Sequence, residues 1–362
     1  MKHSSRPLRV LMIGPSLEVK GGMTSVSKAI LSHQSKKYDV EFAKSMTDSS
    51  LIGRINHWFF RLISSPFRAV LKRPDVVHIH VSNRLSVWRK LSILAVWRIF
   101  RVPVILHTHG SGAKKHLGEM KGLRKHLMKF GFRSAAFVIV LSKSWSKFYS
   151  DICGVSEDKI RILHNPVLLP KRPNLKSNNP IIVLYTGVIG KRKGAFDLIE
   201  AWAAIPVELR RKCKLIIAGN GDVEKANSLI ENLNIGETCE APGWISDEKR
   251  DYYLQTGSIY ILPSYNEGLP MGILEAMGHE MAVISTRVGG IPDLIENGKN
   301  GVLVGPGNIE ELTKGIHDLI RDERKRKLMA EQARKDVSEF DIENYMLELG
   351  EIWHLSTHSS DS

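Results

Sequence analysis

The sequence predicts an α/β protein of two domains, each built on a parallel sheet covered by helices. At 362 residues the chain is longer than one ordinary domain. Apolar, β-rich runs alternate with amphipathic segments, and several runs are continuously apolar, which is typical of parallel strands buried on both faces. The predicted strands are 8–13, 75–80, 102–107, 136–141, 180–185, 214–218, 259–262 and 282–286.

A stretch rich in proline, asparagine and lysine, residues 168–180, separates the two sets of strands. We interpret it as the interdomain linker. The predicted organisation is a first domain at 1–170, a linker at 171–180, a second domain at 181–338, and a final helix with a polar tail at 339–362.

The composition is that of a soluble globular protein, with 43% hydrophobic and 25% charged residues. No apolar stretch approaches the roughly 18 residues of a membrane-spanning helix, and the apolar run near the start is too short for a signal peptide. Cys153, Cys213 and Cys239 are far apart and lack metal-ligand spacing. We therefore expect a soluble protein of the reducing cytoplasm.

Positive charge is concentrated in the first half. Residues 1–170 contain 29 of the 52 Lys and Arg but only 9 of the 38 Asp and Glu. Such a field attracts anionic partners, although a merely solvated surface is the simpler alternative. Segment 54–73, which mixes aromatic and cationic residues, and the basic stretch 114–133 are predicted to dock on an anionic membrane surface. Segment 87–101 fits a helix packed on the sheet equally well, and no nucleic-acid-binding motif is present.

Segment 262–278 is the most informative part of the sequence. It reads as a strand that ends in a glycine-containing loop, after which Pro270 can serve as the first residue of a helix. Amides at a helix start form a positive site suited to a diphosphate. The predicted donor-binding residues here are Gly268, Leu269, Pro270, Met271 and Gly272, flanked by two carboxylates that can accept hydrogen bonds from sugar hydroxyls, Glu267 and Glu275. An N-capping carboxylate plus an incidental helix glutamate is the alternative.

This pattern resembles the motif of glycosyltransferase family 4 in which two glutamates are separated by seven residues. The resemblance continues through residues 283–304, and residues 340–353 resemble the last helix of the family. It implies a GT-B fold, in which two Rossmann-like domains face each other across a cleft and the C-terminal helix crosses back to the first domain. It also implies sugar transfer with retention of configuration, with Glu267 at the donor sugar hydroxyls near C3 and C4 and Glu275 at the nucleotide ribose.

A basic, glycine-rich turn follows the predicted strand 180–185. Its cations can neutralise charge that develops on a departing diphosphate. By resemblance, Lys193 is the phosphate-binding lysine of the family, whereas Val188 stands where the family usually has arginine. The residues of this turn assigned to the donor site are Gly187, Lys191, Arg192 and Lys193, and a solvated basic turn is the alternative for Lys191 and Arg192.

Three further loops are assigned to the donor site. Gly219 follows a predicted strand and can admit the donor at the carboxyl edge of the sheet, and by resemblance Ile245 contacts the nucleobase. In the first half, Gly21 and Gly22 open a helix and let the backbone approach a phosphate or the acceptor. Their spacing is not that of a dinucleotide fingerprint, so NAD is not implied. Ordinary turns explain these loops almost as well.

His107 and His109 lie where a predicted buried strand ends. We expect them on opposite faces, with His107 packed or capping and, by resemblance, with His109 near the donor sugar. A metal site is the alternative, but no Asp, Glu or Cys ligand adjoins them. We therefore predict no metal and no cofactor.

The sequence and the resemblance together predict a retaining glycosyltransferase with His109, Lys193 and Glu267 as catalytic residues. We expect a UDP-linked sugar as donor and a lipid-linked saccharide of bacterial cell-surface polysaccharide synthesis as acceptor, at the inner face of the cytoplasmic membrane. Two alternatives remain open. A GT-B nucleotide-sugar epimerase would need acid and base groups at the sugar, and a noncatalytic sugar-nucleotide-binding partner protein is suggested by Val188.

Overall fold

The computed structural model describes residues 6–19, 21–33, 35–46, 71–82, 85–110, 112–171 and 180–358. The chain divides into two compact units. The first contains Met1–Pro166 together with Ile342–Ser362, and the second contains Val167–Asp341. Most of the predicted linker at 171–180 and most of the predicted docking segment at 54–73 lie outside the described residues.

The first unit is built on a six-stranded parallel sheet with strand order β2-β1-β3-β4-β5-β6. The strands are β1 (Leu8–Pro15), β2 (Tyr38–Met46), β3 (Val76–Val81), β4 (Val104–Thr108), β5 (Phe137–Val140) and β6 (Ile160–Ile162). The described helices of this unit are α1 (Gly22–Ser32), α2 (Leu85–Ile99), α3 (Ala113–Gly118), α4 (Gly122–Arg133), α5 (Lys143–Cys153) and the last helix of the chain, Ile342–His358.

Helix α2 packs on the sheet. Val87, Leu94 and Trp97 are buried along it, and they recur at the spacing of one helix face. The interpretation of segment 87–101 as an ordinary packed helix is therefore correct, and this segment offers little surface for a membrane.

The last helix completes the core of the first unit. Trp353 is fully buried, its ring meets the Tyr38 ring edge-on at 5.2 Å, and its indole nitrogen donates a hydrogen bond to His78 Nδ1 at 3.1 Å. The helix lies so close to β2 that a Cβ on Gly350 would stand 2.0 Å from the Tyr38 hydroxyl. It continues through His358, well into the segment 339–362 that was predicted to hold a final helix and a polar tail.

The second unit repeats this architecture with strand order β12-β11-β10-β7-β8-β9, all parallel. Its strands are β7 (Ile181–Thr186), β8 (Cys213–Ala218), β9 (Cys239–Gly243), β10 (Ile259–Leu262), β11 (Ala282–Thr286) and β12 (Val302–Val304). Its described helices are α6 (Ala195–Ala203), α7 (Val207–Arg210), α8 (Val223–Asn232), α9 (Asp247–Thr256), α10 (Met271–Gly278), α11 (Ile291–Leu294), α12 (Ile309–Arg321) and α13 (Glu323–Val337), so the final helix Ile342–His358 is α14.

All eight predicted strands are present, and β2, β6, β9 and β12 were missed. Strand β2 was missed because it is long but half polar, as suits its position at the edge of the sheet. The other three have five residues or fewer, and β9 contains a proline. Among the described residues, none of the helices has both the length and the apolar character needed to span a bilayer.

Candidate active site

The loops that follow β7 and β8 are held together by glycine. The amide of Gly187 donates to the carbonyl oxygen of Ala218 at 3.0 Å, and the amide of Gly219 donates to that of Gly243 at 2.8 Å. A Cβ at Gly219 would stand 1.7 Å from the Gly187 carbonyl oxygen. Only glycine fits there, so Gly219 lets two loops meet at the carboxyl edge of the sheet, where parallel sheets place their ligand sites.

The basic turn after β7 docks on the loop after β10. Lys191, Arg192 and Lys193 form one 3₁₀ turn that ends at Gly194 in the left-handed conformation. The Tyr265 amide donates to the Arg192 carbonyl oxygen at 2.9 Å, and Arg192 Nη1 donates to the Asn266 carbonyl oxygen at 3.2 Å. The Lys191 and Arg192 side chains remain exposed. This docking fixes where Lys193 points.

Lys193 and Glu267 form a largely buried ion pair. Lys193 Nζ lies 2.5 Å from Glu267 Oε1, and the exposed fractions of the two side chains are 16% and 6%. The Ser264 hydroxyl donates to the same carboxylate oxygen at 2.7 Å. The structure thus brings together the predicted phosphate-binding lysine and the predicted sugar-binding carboxylate, and it adds Ser264, which sequence reasoning missed.

Helix α10 begins one residue later than predicted. Pro270 is its N-cap residue, with extended backbone angles (φ −74°, ψ 122°), and the helix starts at Met271. Gly268, Leu269 and Pro270 are buried, whereas Met271 and Gly272 are half-buried. The amides of Met271 and Gly272 are therefore the better anion donors at this turn, since the first amides of a helix have no acceptor within it.

The loop after β11 covers part of the same turn. The Gly290 amide donates to the Gly268 carbonyl oxygen at 2.7 Å, and a Cβ on Gly289 would stand 2.1 Å from the Glu267 carbonyl oxygen. The backbone around Glu267 is thereby held from two sides, by this loop and by the basic turn. Rigid support of this kind positions a binding group precisely.

Glu275 also has a cationic partner. Arg250, on α9, hydrogen-bonds and forms an ion pair with the Glu275 carboxylate. Burial opposes the charged form of Arg250, but the adjacent Glu275 carboxylate outweighs this and raises the pKa of Arg250. Each glutamate of the motif therefore has a cation beside it, which lowers the cost of placing a carboxylate near an anionic donor.

Two other predicted positions are more open. Ile245 is half-buried in the loop between β9 and α9, next to Trp244, whose exposed fraction is 51%. Val188, which stands in the place of the usual arginine, has an exposed fraction of 47%. Its carbonyl oxygen accepts a hydrogen bond from the Tyr185 hydroxyl at 2.9 Å, so the backbone there is fixed while the side chain is accessible.

In the first unit, α1 begins at Gly22 with Gly21 as its N-cap residue. This is the helix start that the sequence predicts for the paired glycines. Gly21 has φ +153°, and a Cβ placed on it would meet no atom within 4 Å. Its position therefore leaves room for a group to approach the backbone.

The expectation that His107 and His109 lie on opposite faces was wrong. Their ring centroids are 4.1 Å apart, because residues two apart on a strand point to the same side. His78 and His80 on β3 join them, since the register of β3 and β4 pairs His80 with His107. Four imidazoles therefore form one cluster, which we call the histidine cluster.

Hydrogen bonds fix the tautomers in part of the histidine cluster. The Trp353 indole can only donate, so His78 Nδ1 accepts from it at 3.1 Å. Neutral His78 then carries its proton on Nε2 and donates it to His107 Nδ1 at 3.1 Å. His107 in turn must carry its proton on Nε2.

His109 is held by His80. Its Nε2 lies 2.8 Å from His80 Nδ1, and the two rings stack with centroids 5.0 Å apart. Burial lowers the pKa of His109 to about 3, so its imidazole is neutral at physiological pH. The sequence signal for this arrangement was the repeated His-x-His pattern on two neighbouring strands, at 78–80 and 107–109.

His78, His80 and His107 can offer nitrogen atoms within 4.8 Å of one another, close enough to hold a metal ion. However, His78 Nε2 and His107 Nδ1 are already hydrogen-bonded to each other. Burial, the neighbouring histidines and the ammonium group of Lys90 all lower the pKa of His80. The positive charge of Lys90 would also repel a metal cation. We therefore interpret the histidine cluster as a network of neutral imidazoles.

Comparison with known proteins identifies the family. A family model described as Glycosyl transferases group 1 matches residues 170–336, and one described as Glycosyltransferase Family 4 matches residues 37–169. The chain is 28% identical over 306 residues to an uncharacterized glycosyltransferase of Methanocaldococcus jannaschii, with 80% of this chain and 75% of that protein covered. It is 26% identical over 269 residues to the putative teichuronic acid biosynthesis glycosyltransferase TuaC of Bacillus subtilis, with 71% of this chain and 64% of that protein covered.

A solved structure has the same fold. Alr3699/HepE of Anabaena, determined in complex with UDP, matches with a TM-score of 0.73 at 17% sequence identity, and the match covers 95% of this chain and 98% of that chain. The fold is thus of the GT-B type, and the matched family models define a glycosyltransferase. The chain belongs to glycosyltransferase family 4, as the two family models that together match residues 37–336 show. The predicted fold class, family and transferase activity are confirmed.

Proposed function

We propose that the protein transfers a sugar, with retention of anomeric configuration, from a UDP-linked donor to a lipid-linked saccharide of bacterial cell-surface polysaccharide synthesis. The acceptor lies at the inner face of the cytoplasmic membrane. The reaction requires neither a metal nor a cofactor. The alternatives, an epimerase and a noncatalytic partner protein, are less favoured because the family is one of transferases.

The observation that carries this proposal is the arrangement of Lys193, Ser264 and Glu267 beside the start of α10. Glu267 has one oxygen, Oε1, occupied by Lys193 and Ser264. We assign its second oxygen to accept hydrogen bonds from sugar hydroxyls. A single carboxylate can therefore orient the donor sugar and hold the lysine that the phosphates need.

The chemistry we propose relies on positioning and charge. As the bond from the sugar to the diphosphate breaks, negative charge grows on the leaving oxygens, and Lys193 with the Met271 and Gly272 amides stabilises it. The acceptor hydroxyl attacks on the face from which the diphosphate leaves and gives its proton to a phosphate oxygen, so configuration is retained. By resemblance, His109 contacts the donor sugar and Glu275 the ribose; no side chain forms a covalent intermediate.

The choice of donor and acceptor has separate support. UDP is proposed because the structurally similar Alr3699/HepE was solved with UDP. A lipid-linked acceptor is proposed because residues 1–170 are strongly basic and anionic lipids attract basic surfaces. The similarity to TuaC, named for teichuronic acid biosynthesis, favours a role in cell-surface polysaccharide.

The test is incubation of the purified protein with a bacterial lipid extract and a panel of UDP- and GDP-linked sugars, followed by mass spectrometry of the lipids. We expect one glycosylated lipid with a UDP sugar, and Glu267→Gln to lower its yield at least about 100-fold. Glu208→Gln, at an exposed site on α7, should leave the yield unchanged. Transfer from a GDP sugar alone, an epimerised donor, or donor binding without transfer to any lipid would contradict the proposal.

A further inference from the structure

Helix α4 exposes an apolar strip. Leu123, Leu127 and Phe130 have exposed fractions of 74%, 51% and 72%. Their spacing of four and three residues places them in one line along the helix surface. Isolated exposed apolar side chains are ordinary, but a contiguous line of large ones marks an interaction surface.

This strip is not the side by which α4 joins its unit. Met128, Gly131 and Phe132 are the buried residues of the helix. Met128 contacts Cys153 of α5, with 3.7 Å between the sulfur atoms, and the Phe132 ring lies 5.2 Å from the Tyr149 ring. The helix is therefore anchored in the first unit through one face and presents a second apolar face outward.

Cations surround the strip and acids are absent from it. The sequence contains no Asp or Glu between Glu119 and Asp151. Lys121 and Arg124 are exposed, and Lys125 and Lys129 are half-buried. In the part of the chain that the structure describes, these four side chains form no ion pair. Large apolar side chains together with unpaired cations are the combination that binds the interface of an anionic bilayer.

We propose that α4 is the membrane-contacting element of this protein, with Leu123, Leu127 and Phe130 inserted among the lipids and the neighbouring cations at anionic headgroups. The partner is a leaflet rich in anionic lipid. The proposal rests on the proposed lipid-linked acceptor for its biological role. Membrane binding itself is measured without donor or acceptor, so its failure is distinct from a failure of the proposed transfer reaction.

The first test is sedimentation of the full chain with phosphatidylcholine vesicles that contain or lack phosphatidylglycerol. We expect binding to the anionic vesicles that weakens as salt is added. The variant Leu123→Ser/Leu127→Ser/Phe130→Ser should reduce this binding about tenfold or more, because it removes the apolar contribution. The matched control is Leu233→Ser/Tyr252→Ser/Leu328→Ser, which changes three exposed apolar residues of the second unit and should bind as the wild type does.

A second test reports insertion directly. The three cysteines of the chain, Cys153, Cys213 and Cys239, are all buried, so a Leu127→Cys variant can be labelled selectively with an environment-sensitive dye. Its emission should shift to the blue when anionic vesicles are added, whereas the same dye on Leu328→Cys should not respond.

Three results would overturn the proposal: wild-type protein that does not bind anionic vesicles, unchanged binding by the strip variant, or a dye at position 127 that does not respond. A strip variant that instead dissociates a wild-type dimer in analytical ultracentrifugation would reassign the strip to contact between two copies of the chain. If vesicle binding behaves as expected while no sugar transfer is found, the docking site stands and the proposed reaction fails.

Discussion

Lys193 Nζ lies 2.5 Å from Glu267 Oε1 although the two residues are 74 positions apart in sequence. The basic turn after β7 and the loop after β10 are thereby joined at the place where the proposed diphosphate and sugar subsites meet. The pair also has a structural function, since each residue neutralises the largely buried charge of the other. Activity and stability can therefore be separated by mutation.

We expect Lys193→Met to lower both turnover and stability. The change leaves the Glu267 carboxylate, whose side chain is 6% exposed, without its cation, at a cost of about 3 kcal/mol in the free energy of unfolding. The double variant Lys193→Met/Glu267→Gln should recover most of that stability and none of the activity. Denaturant titrations and initial rates on the same preparations check this. A double variant no more stable than Lys193→Met would show that the pair does not act as described.

Arg250→Met should weaken donor binding more than it slows turnover. Arg250 holds the Glu275 carboxylate, which we assign to the ribose, a part of the donor that does not react. A contact of this kind stabilises the bound substrate and the transition state equally, so its loss raises KM and leaves kcat nearly unchanged. We expect KM to rise about tenfold. The control is Lys249→Met at the preceding, exposed position of the same helix. A fall in kcat at constant KM would place Glu275 nearer to the reaction centre.

Val188→Arg should increase the rate of transfer. The position is 47% exposed and its backbone is fixed by Tyr185, so an arginine side chain fits without repacking and should change stability by less than about 0.5 kcal/mol. It would add a cation where charge develops on the leaving diphosphate, for a gain of up to about tenfold in kcat. Unchanged or reduced kcat would mean that Lys191 or Arg192 already fills this role.

Acid should destabilise the first unit through the histidine cluster. Burial, followed by the charge of His109, lowers the pKa of His78 from 6.5 to about 3. Between these values the unfolded chain binds more protons than the folded one, so stability is full above about pH 6.5 and falls as the pH drops toward 3.

Through His78, the free energy of unfolding should fall by about 1.4 kcal/mol for each pH unit within that window. Denaturant titrations at a series of pH values measure it. His78→Gln should make the free energy of unfolding depend less on pH, because glutamine does not titrate. Glutamine can still accept the hydrogen bond from Trp353. His354→Gln, at an exposed position, should not change the pH dependence. Equal slopes in both variants would contradict a buried, neutral His78.

The sequence predicted the sheets well because their central strands are short, mostly apolar runs. Strands β3, β4, β5 and β10 are buried along their whole length, and no other structure suits such short apolar runs between amphipathic helices. The glutamate motif was equally readable, since its residues are neighbours in one segment. Local patterns of this kind need no knowledge of the tertiary fold.

The partners of those residues could not be predicted in the same way. Arg250 reaches Glu275 from another helix, and Gly289 supports Glu267 from another loop; neither pairing leaves a pattern in the sequence. His78 and His80 had a visible signal, but the cluster depends on the register that sets β3 beside β4. Helix periodicity likewise did not reveal that α4 has one apolar face buried and a second exposed.

The excursion of the chain between Pro166 and Ile342 has a consequence for how the molecule is made. The first unit cannot close its core until α14 delivers Trp353 to His78, so residues 6–166 must wait until the second unit and α14 have been synthesised. The second unit is one uninterrupted stretch and is free to fold on the ribosome first. The unit whose strands come first in the sequence is thus the last to mature, and deletions within α14 should harm the sheet of the first unit.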